Sequence, residues 1–83
     1  MQPLNAEELA QLNELHHETL PSFLGMEFVA ASAEQLIVRM PVTEKVKQPF
    51  GIVHGGATVA LCETAASVGT HLGIDRDHFY AVG

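Results

Sequence analysis

The chain has 83 residues and a mass of 8.9 kDa. A chain of this size buries only about 63% of its extended surface on folding, so we expect one small domain over residues 1–83. Apolar residues make up 47% of the sequence and charged residues 17%, a profile typical of globular proteins. The net charge of −6 argues against nucleic acid and anionic lipid as partners, because both attract clustered lysine and arginine.

No apolar stretch approaches the ~20 residues of a membrane span, and the acidic amino terminus does not resemble a signal peptide. We therefore expect a cytoplasmic protein with no membrane partner. The single cysteine, Cys62, cannot form an internal disulfide. A small core without covalent cross-links predicts that stability comes from association or from additional chain.

The first predicted element is an amphipathic helix over residues 4–20. Its leucines recur near helical spacing, and Asn5 with Glu8 three residues later forms a potential capping box. We expect Pro21 to end this helix.

Two short strands are predicted next, over residues 26–30 and 35–42, and we expect them to pair as a hairpin. The second strand alternates, and its predicted inward side consists of Leu36, Val38, Met40 and Val42. The polar run over residues 43–50 predicts an exposed loop.

Residues 52–72 read IVHGGATVALCETAASVGTHL, and within this segment we predict a long helix that the glycine pair opens. Its predicted apolar face consists of Ala60, Leu61, Thr64, Ala65, Val68 and Leu72. Small residues dominate the helix and allow a sheet or a second copy to approach closely, so we expect it to be buried on most sides. We expect Gly73 to end it, a polar turn over residues 75–78 to follow, and a third strand to begin at residue 79.

The glycine pair at the start of the long helix is a candidate binding site for a carbonyl group. The first N–H groups of a helix lack intrahelical partners, and without a Cβ at Gly55 a carbonyl oxygen can approach its amide as in an oxyanion hole. The alternative is a simple tight turn. His54 either donates a hydrogen bond to that carbonyl or only caps the helix. Gln48, just before the glycines, offers an amide donor or is an ordinary loop residue.

Glu63 is the candidate catalytic carboxylate, because a charged group in an otherwise apolar stretch is costly unless it is exposed, paired or functional. Ser67 lies four residues on, on the same helical face, and its hydroxyl could hold a water molecule. The alternative is a solvated glutamate with Ser67 as a space-filling residue. His71 lies eight residues after Glu63, near enough in helical phase to line the same groove, although an ordinary core or surface histidine is the favoured interpretation.

Other reactive residue types give no second site. Cys62 is about 100° around the helix from Glu63 and is expected to be a small core residue. The spacing of the five histidines matches no metal-binding motif, so we expect no metal.

The segment PFGIVHGGATVALCETAAS, residues 49–67, resembles the signature of the hotdog-fold acyl-CoA thioesterases. The resemblance is to the branch of phenylacetate-pathway, 4-hydroxybenzoyl-CoA and 1,4-dihydroxy-2-naphthoyl-CoA thioesterases. The leading helix and hairpin also fit this family in order and spacing. The resemblance implies an α+β fold in which an antiparallel sheet wraps a long helix. The resemblance extends over all 83 residues. Because family members are longer, the chain corresponds to the N-terminal portion of their fold, without the last strands.

The resemblance also implies hydrolysis of acyl-CoA thioesters with aromatic or small acyl groups, in a site shared across a homodimer or homotetramer. Glu63 would be nucleophile or general base, and the Gly55 amide would polarise the carbonyl. Gln48 and His54 would position that carbonyl, and Ser67 would assist the water. Coenzyme A would enter only as part of the substrate, and its nucleotide contacts are unassigned.

Two alternatives remain at this stage. A truncated hotdog fragment could be catalytically inactive and act only as a structural or assembly unit. A dehydratase or isomerase on the same fold suits the pair of Glu63 and Ser67 less well, because that pair favours activated water over removal of a proton from carbon.

Overall fold

The computed structural model describes residues 2–73. Their elements in chain order are helix α1 (Ala6–Leu15), helix α2 (Leu20–Phe23), strand β1 (Glu27–Ala31), strand β2 (Leu36–Arg39), a 3₁₀ turn (Glu44–Val46) and helix α3 (Gly55–Gly73). This is the predicted α+β arrangement. The turn and third strand expected after residue 74 lie outside the described residues. No helix within residues 2–73 combines the length and hydropathy that a membrane span requires.

Helix α1 begins with the predicted capping box. The Asn5 carboxamide oxygen accepts a hydrogen bond from the Glu8 N–H at 2.8 Å, and the Glu8 carboxylate accepts one from the Asn5 N–H at 3.1 Å. Both bonds satisfy donors that have no acceptor within the first helical turn. The start of α1 is therefore set by its local sequence.

The single helix expected over residues 4–20 is instead divided into α1 and α2. Helix α1 ends at Leu15, and Glu18 adopts a left-handed conformation with φ of 63°, which a continuous helix does not accommodate. Pro21 does not end a helix but lies in the first turn of α2. A proline there removes no hydrogen bond, because the N–H groups of the first turn have no intrahelical acceptor.

Strands β1 and β2 form the predicted antiparallel hairpin. Glu27 lies opposite Arg39, and their side chains form an ion pair at 2.9 Å. The register shifts between Phe28 and Ala30, so the chain bulges at Val29. The bulge brings both Phe28 and Ala31 to the buried side of the hairpin.

The inward side of the second strand is confirmed in part. Leu36, Val38 and Met40 are half-buried, but Val42 is 61% exposed. Strand β2 ends at Arg39 because Pro41 has no N–H with which to continue the ladder. The strand is therefore shorter than predicted.

The segment that leads into β1 also covers the outer edge of that strand. The Leu4 N–H donates a hydrogen bond to the Ala31 carbonyl at 2.9 Å. The Asn13 side chain accepts from the Phe28 N–H at 2.8 Å and donates to the Phe28 carbonyl at 3.1 Å. One carboxamide thus replaces a neighbouring strand at that position.

The loop expected to be exposed over residues 43–50 contains a core residue. Val46 is only 1% exposed, because it is the apolar member of a polar run and its side chain turns inward. Its carbonyl accepts a hydrogen bond from the His54 N–H at 2.7 Å. Lys47 and Val53 then form an antiparallel bridge, which ties the loop to the start of α3.

Helix α3 has the apolar face that the sequence predicts, because all six predicted residues of that face are half-buried. The expectation of burial on most sides is not met within residues 2–73, where Ala57 is the one fully buried residue of α3. The described strands reach α3 near Gly69, where Leu36 lies 3.6 Å from the position of an added Cβ. The opposite side of the helix faces outward in this chain.

Candidate active site

The first turn of α3 is capped by the His54 side chain. Its Nδ1 accepts a hydrogen bond from the Gly56 N–H at 2.8 Å, and its carbonyl accepts one from the Ala57 N–H at 2.9 Å. An uncharged imidazole whose Nδ1 accepts carries its hydrogen on Nε2. The capping role therefore leaves His54 with a free donor, so both roles predicted for this residue are compatible.

The Gly55 N–H belongs to the first residue of α3 and has no acceptor among residues 2–73. A Cβ at Gly55 would meet nothing within 4 Å, whereas a Cβ at Gly56 would lie 2.9 Å from the His54 Nδ1. The fold therefore requires glycine at position 56 for the cap, while the space around position 55 is open. An exposed helix-start amide in open space can donate to a carbonyl oxygen.

Gln48 lies in the tight turn before α3. Its N–H donates to the Ile52 carbonyl at 2.8 Å, and the turn closes at Gly51, whose φ of 89° favours glycine. The Gln48 Oε1 accepts from the Phe50 N–H at 2.5 Å. Its NH₂ group is consequently the end of the carboxamide that remains for another acceptor.

The fold brings three of the five predicted site residues to one end of α3. The Gln48 N–H pairs with the Ile52 carbonyl and the His54 N–H with the Val46 carbonyl, on either side of the bridge between Lys47 and Val53. This short backbone pairing holds the Gln48 turn beside the start of α3, where Gly55 follows His54. Each of the three offers a donor: a carboxamide NH₂, an imidazole Nε2–H and a backbone N–H. We refer to them below as the donor group.

Glu63 and Ser67 lie further along α3. Glu63 is exposed on the uncovered side of the helix, and Ser67, four residues on, is half-buried. Within the described part of the chain no hydrogen bond joins the two side chains. The exposure of Glu63 is compatible with both interpretations of this residue: a solvated side chain, and a carboxylate that faces a second copy of the chain.

Glu63 is not close to the donor group of its own chain. Eight residues separate it from Gly55, which corresponds to about 12 Å along the helix axis at 1.5 Å per residue. One carbonyl group cannot contact both the Gly55 amide and the Glu63 carboxylate of the same α3.

A groove of about 290 Å³ separates the end of α1 from α3. Its polar lining residues are His16, Ser67 and His71, and its apolar walls include Leu12 and Val68. We call it the α1–α3 groove. His71 thus shares a groove with Ser67, as its helical phase suggests, although Glu63 is not among the lining residues.

His16 is the residue of this region that the sequence analysis did not single out. It follows Leu12 by four residues, which places it on the apolar face of α1. Its Nδ1 donates to the Leu12 carbonyl at 2.8 Å, and its ring packs on Phe28 with centroids 4.5 Å apart. The four-residue spacing from Leu12 could have placed His16 on the apolar face of α1. The groove itself could not be predicted, because it depends on tertiary packing.

The expectation that Cys62 is a core residue is wrong, because the side chain is exposed in this chain. It lies on the same helical face as Gly69, but the described strands cover that face only near Gly69. Within residues 2–73, no three His, Cys, Asp or Glu side chains are placed to hold a metal ion.

Comparisons with known proteins place this arrangement among thioesterases. The chain is 40% identical over 76 residues to the esterase PA1618 of Pseudomonas aeruginosa, and that match covers 92% of this chain and 52% of PA1618. It is 45% identical over 58 residues to the 1,4-dihydroxy-2-naphthoyl-CoA hydrolase of Listeria monocytogenes, covering 70% of this chain and 47% of that enzyme. No family model matches the sequence.

Solved structures give the same result. A crystal structure of thioesterase PA1618, in a variant with a glutamine replaced by alanine, superposes with a TM-score of 0.85 at 37% identity. It is matched over 95% of this chain and 57% of its own length. A Haemophilus influenzae thioesterase matches with a TM-score of 0.79 at 36% identity, over 90% of this chain and 52% of its own. The chain thus spans about half the length of the relatives it matches.

Proposed function

Since the chain belongs to the hotdog-fold thioesterase family, we propose that the protein hydrolyses acyl-CoA thioesters, with coenzyme A as part of the substrate and no further cofactor. The observation that carries the proposal is the donor group at the start of α3. The Gly55 amide, the His54 Nε2–H and the Gln48 NH₂ have no acceptors within residues 2–73. Donors arranged in this way can stabilise the negative charge that develops on a thioester oxygen during attack.

Glu63 acts by one of two routes, either activating water or attacking the carbonyl carbon itself. As a general base it takes a proton from water, the water oxygen attacks the carbonyl carbon, and the C–S bond breaks as the thiolate leaves and is protonated. As a nucleophile its carboxylate oxygen attacks the carbon, the thiolate leaves, and water then hydrolyses the mixed anhydride. In both routes the Ser67 hydroxyl, four residues on, holds the water.

The separation between Glu63 and the donor group supports a site shared between two copies. Because about 12 Å of helix lies between Gly55 and Glu63 in one chain, we assign the two halves of a site to different subunits. Glu63 is exposed and Gly55 is exposed, so both can face a second copy. The proposed assembly is a homodimer or a homotetramer of such dimers.

For the acyl group we propose an aromatic or small one. The Listeria relative is named for an aromatic acyl-CoA, 1,4-dihydroxy-2-naphthoyl-CoA. The part of the α1–α3 groove beside Ser67 has apolar walls that suit a ring or a short chain.

The test is thiol release from benzoyl-CoA by the purified native protein. The substitution Glu63→Gln keeps the shape of the side chain and removes its basicity. We therefore expect kcat to fall ~10²- to 10⁴-fold, with little change in KM. Glu14→Gln is the matched control, because Glu14 is also an exposed helical glutamate. A Glu63→Gln enzyme within about threefold of native kcat would contradict the assignment. Hydration of an enoyl-CoA without thiol release would instead favour a dehydratase, and neither reaction would favour a structural role.

A further inference from the structure

The α1–α3 groove lies where the acyl group of a bound thioester would extend. Glu63, Ser67 and His71 follow one another at intervals of four residues and share one side of α3. Each interval advances about 6 Å along the helix. An acyl group whose carbonyl lies at Glu63 therefore reaches Ser67 and His71 within one to two helical turns, and both residues line the groove.

His16 enters this groove from α1 with its ring fixed on two sides. Its Nδ1 donates to the Leu12 carbonyl at 2.8 Å, and its ring packs against Phe28, which is only 2% exposed. Because a carbonyl can only accept, Nδ1 carries the hydrogen, and in the uncharged ring Nε2 is an acceptor. No donor among residues 2–73 hydrogen-bonds to that Nε2.

We propose that the α1–α3 groove receives the acyl group and that His16 is a specificity-determining residue, its Nε2 accepting a hydrogen bond from a donor on that group. The inference rests on the proposed function. The described lining includes no Lys, Arg, Asp or Glu, so the groove suits an uncharged acyl group. Apolar walls bind its carbon skeleton, and the fixed acceptor distinguishes a hydroxylated ring from an unsubstituted one.

The test compares kcat/KM for the three hydroxybenzoyl-CoA isomers with kcat/KM for benzoyl-CoA, using the native protein. We expect at least one isomer to be preferred. His16→Phe keeps a ring against Phe28 and removes the acceptor, so that preference should fall about two- to tenfold, the effect of one hydrogen bond. His17→Phe is the matched control, because the neighbouring His17 side chain is 64% exposed and lies outside the groove lining.

The outcomes separate this inference from the proposed function. If no thioester is hydrolysed, the proposed function fails. If thioesters are hydrolysed but no hydroxylated isomer is preferred, or the preference survives His16→Phe, the role of His16 fails alone. Should His16→Phe not fold, the native protein answers the question by ¹⁵N spectroscopy with phenacyl-CoA and hydroxyphenacyl-CoA as non-hydrolysable probes. A shift of the His16 Nε2 signal specific to the hydroxylated probe supports the proposal, and equal signals overturn it.

Discussion

The His54 Nδ1 that accepts a hydrogen bond from the Gly56 N–H is also the atom nearest to any Cβ placed at position 56, at 2.9 Å. The cap on α3 and the glycine at position 56 are therefore a single structural requirement. Position 55 differs, because a Cβ there meets nothing within 4 Å. The fold explains one glycine of the pair, and the proposed approach of a thioester explains the other.

The two glycines should consequently respond differently to substitution. Gly56→Ala displaces the His54 ring, and loss of the cap should lower the free energy of unfolding by about 0.5–2 kcal/mol, measured by thermal unfolding. Gly55→Val should retain the native circular dichroism spectrum and abolish hydrolysis of benzoyl-CoA, because its side chain blocks the approach to the amide. A folded Gly55→Val protein that hydrolyses at the native rate would show that this amide is not the oxyanion donor.

A substitution at His54 separates its two roles. Asparagine is among the best N-cap residues, so His54→Asn should keep the stability of α3 while removing the Nε2–H donor. We expect an unchanged melting temperature and a kcat for benzoyl-CoA lower by about 10²- to 10³-fold, with His17→Asn as a control. Native kcat in a stable His54→Asn protein would limit His54 to capping.

The pairing of Asn13 with Phe28 should contribute measurably to stability. Asn13→Ala leaves the N–H and carbonyl of a residue that is 2% exposed without these partners, which costs about 1–3 kcal/mol. Chemical denaturation provides the measurement. Gln11→Ala, at an exposed position of the same helix, should change stability little. Equal stability of the two variants would mean that water replaces the carboxamide without loss.

Subunit mixing tests the shared site. Glu63→Ala and Gly55→Val proteins should each be inactive, but exchange of subunits produces heterodimers that contain one doubly damaged site and one intact site. With random exchange and independent sites, activity should return to about a quarter of the native value. Verified exchange without recovery would contradict a shared site, and an active monomer by sedimentation would contradict the need for a second copy.

Features that depend on near neighbours in sequence were predictable. The capping box of Asn5 and Glu8, the hairpin and the half-buried face of α3 all follow from spacing alone. The candidate site residues likewise came from local motifs, and their catalytic roles are still predictions.

Features that depend on tertiary packing were not predictable. Glu18 takes a left-handed conformation and divides the first helix, although its residue type does not favour that conformation. Val46 is buried although the run around it is polar, and the groove that His16 lines forms only where α1 meets α3. Such contacts join residues far apart in sequence, and the periodicity of one segment contains no information about them.

The hydrogen bonds from Leu4 and Asn13 to β1 make the two edges of the hairpin different. The outward N–H and carbonyl groups of β1 are occupied at Ala31 and Phe28, whereas within residues 2–73 no segment hydrogen-bonds to the far side of β2. We therefore expect any further strand of this sheet, from the same molecule or another, to pair with β2. The amino-terminal segment covers the outer edge of β1 at these positions, which disfavours pairing with another chain there and leaves β2 as the edge on which the sheet can be extended.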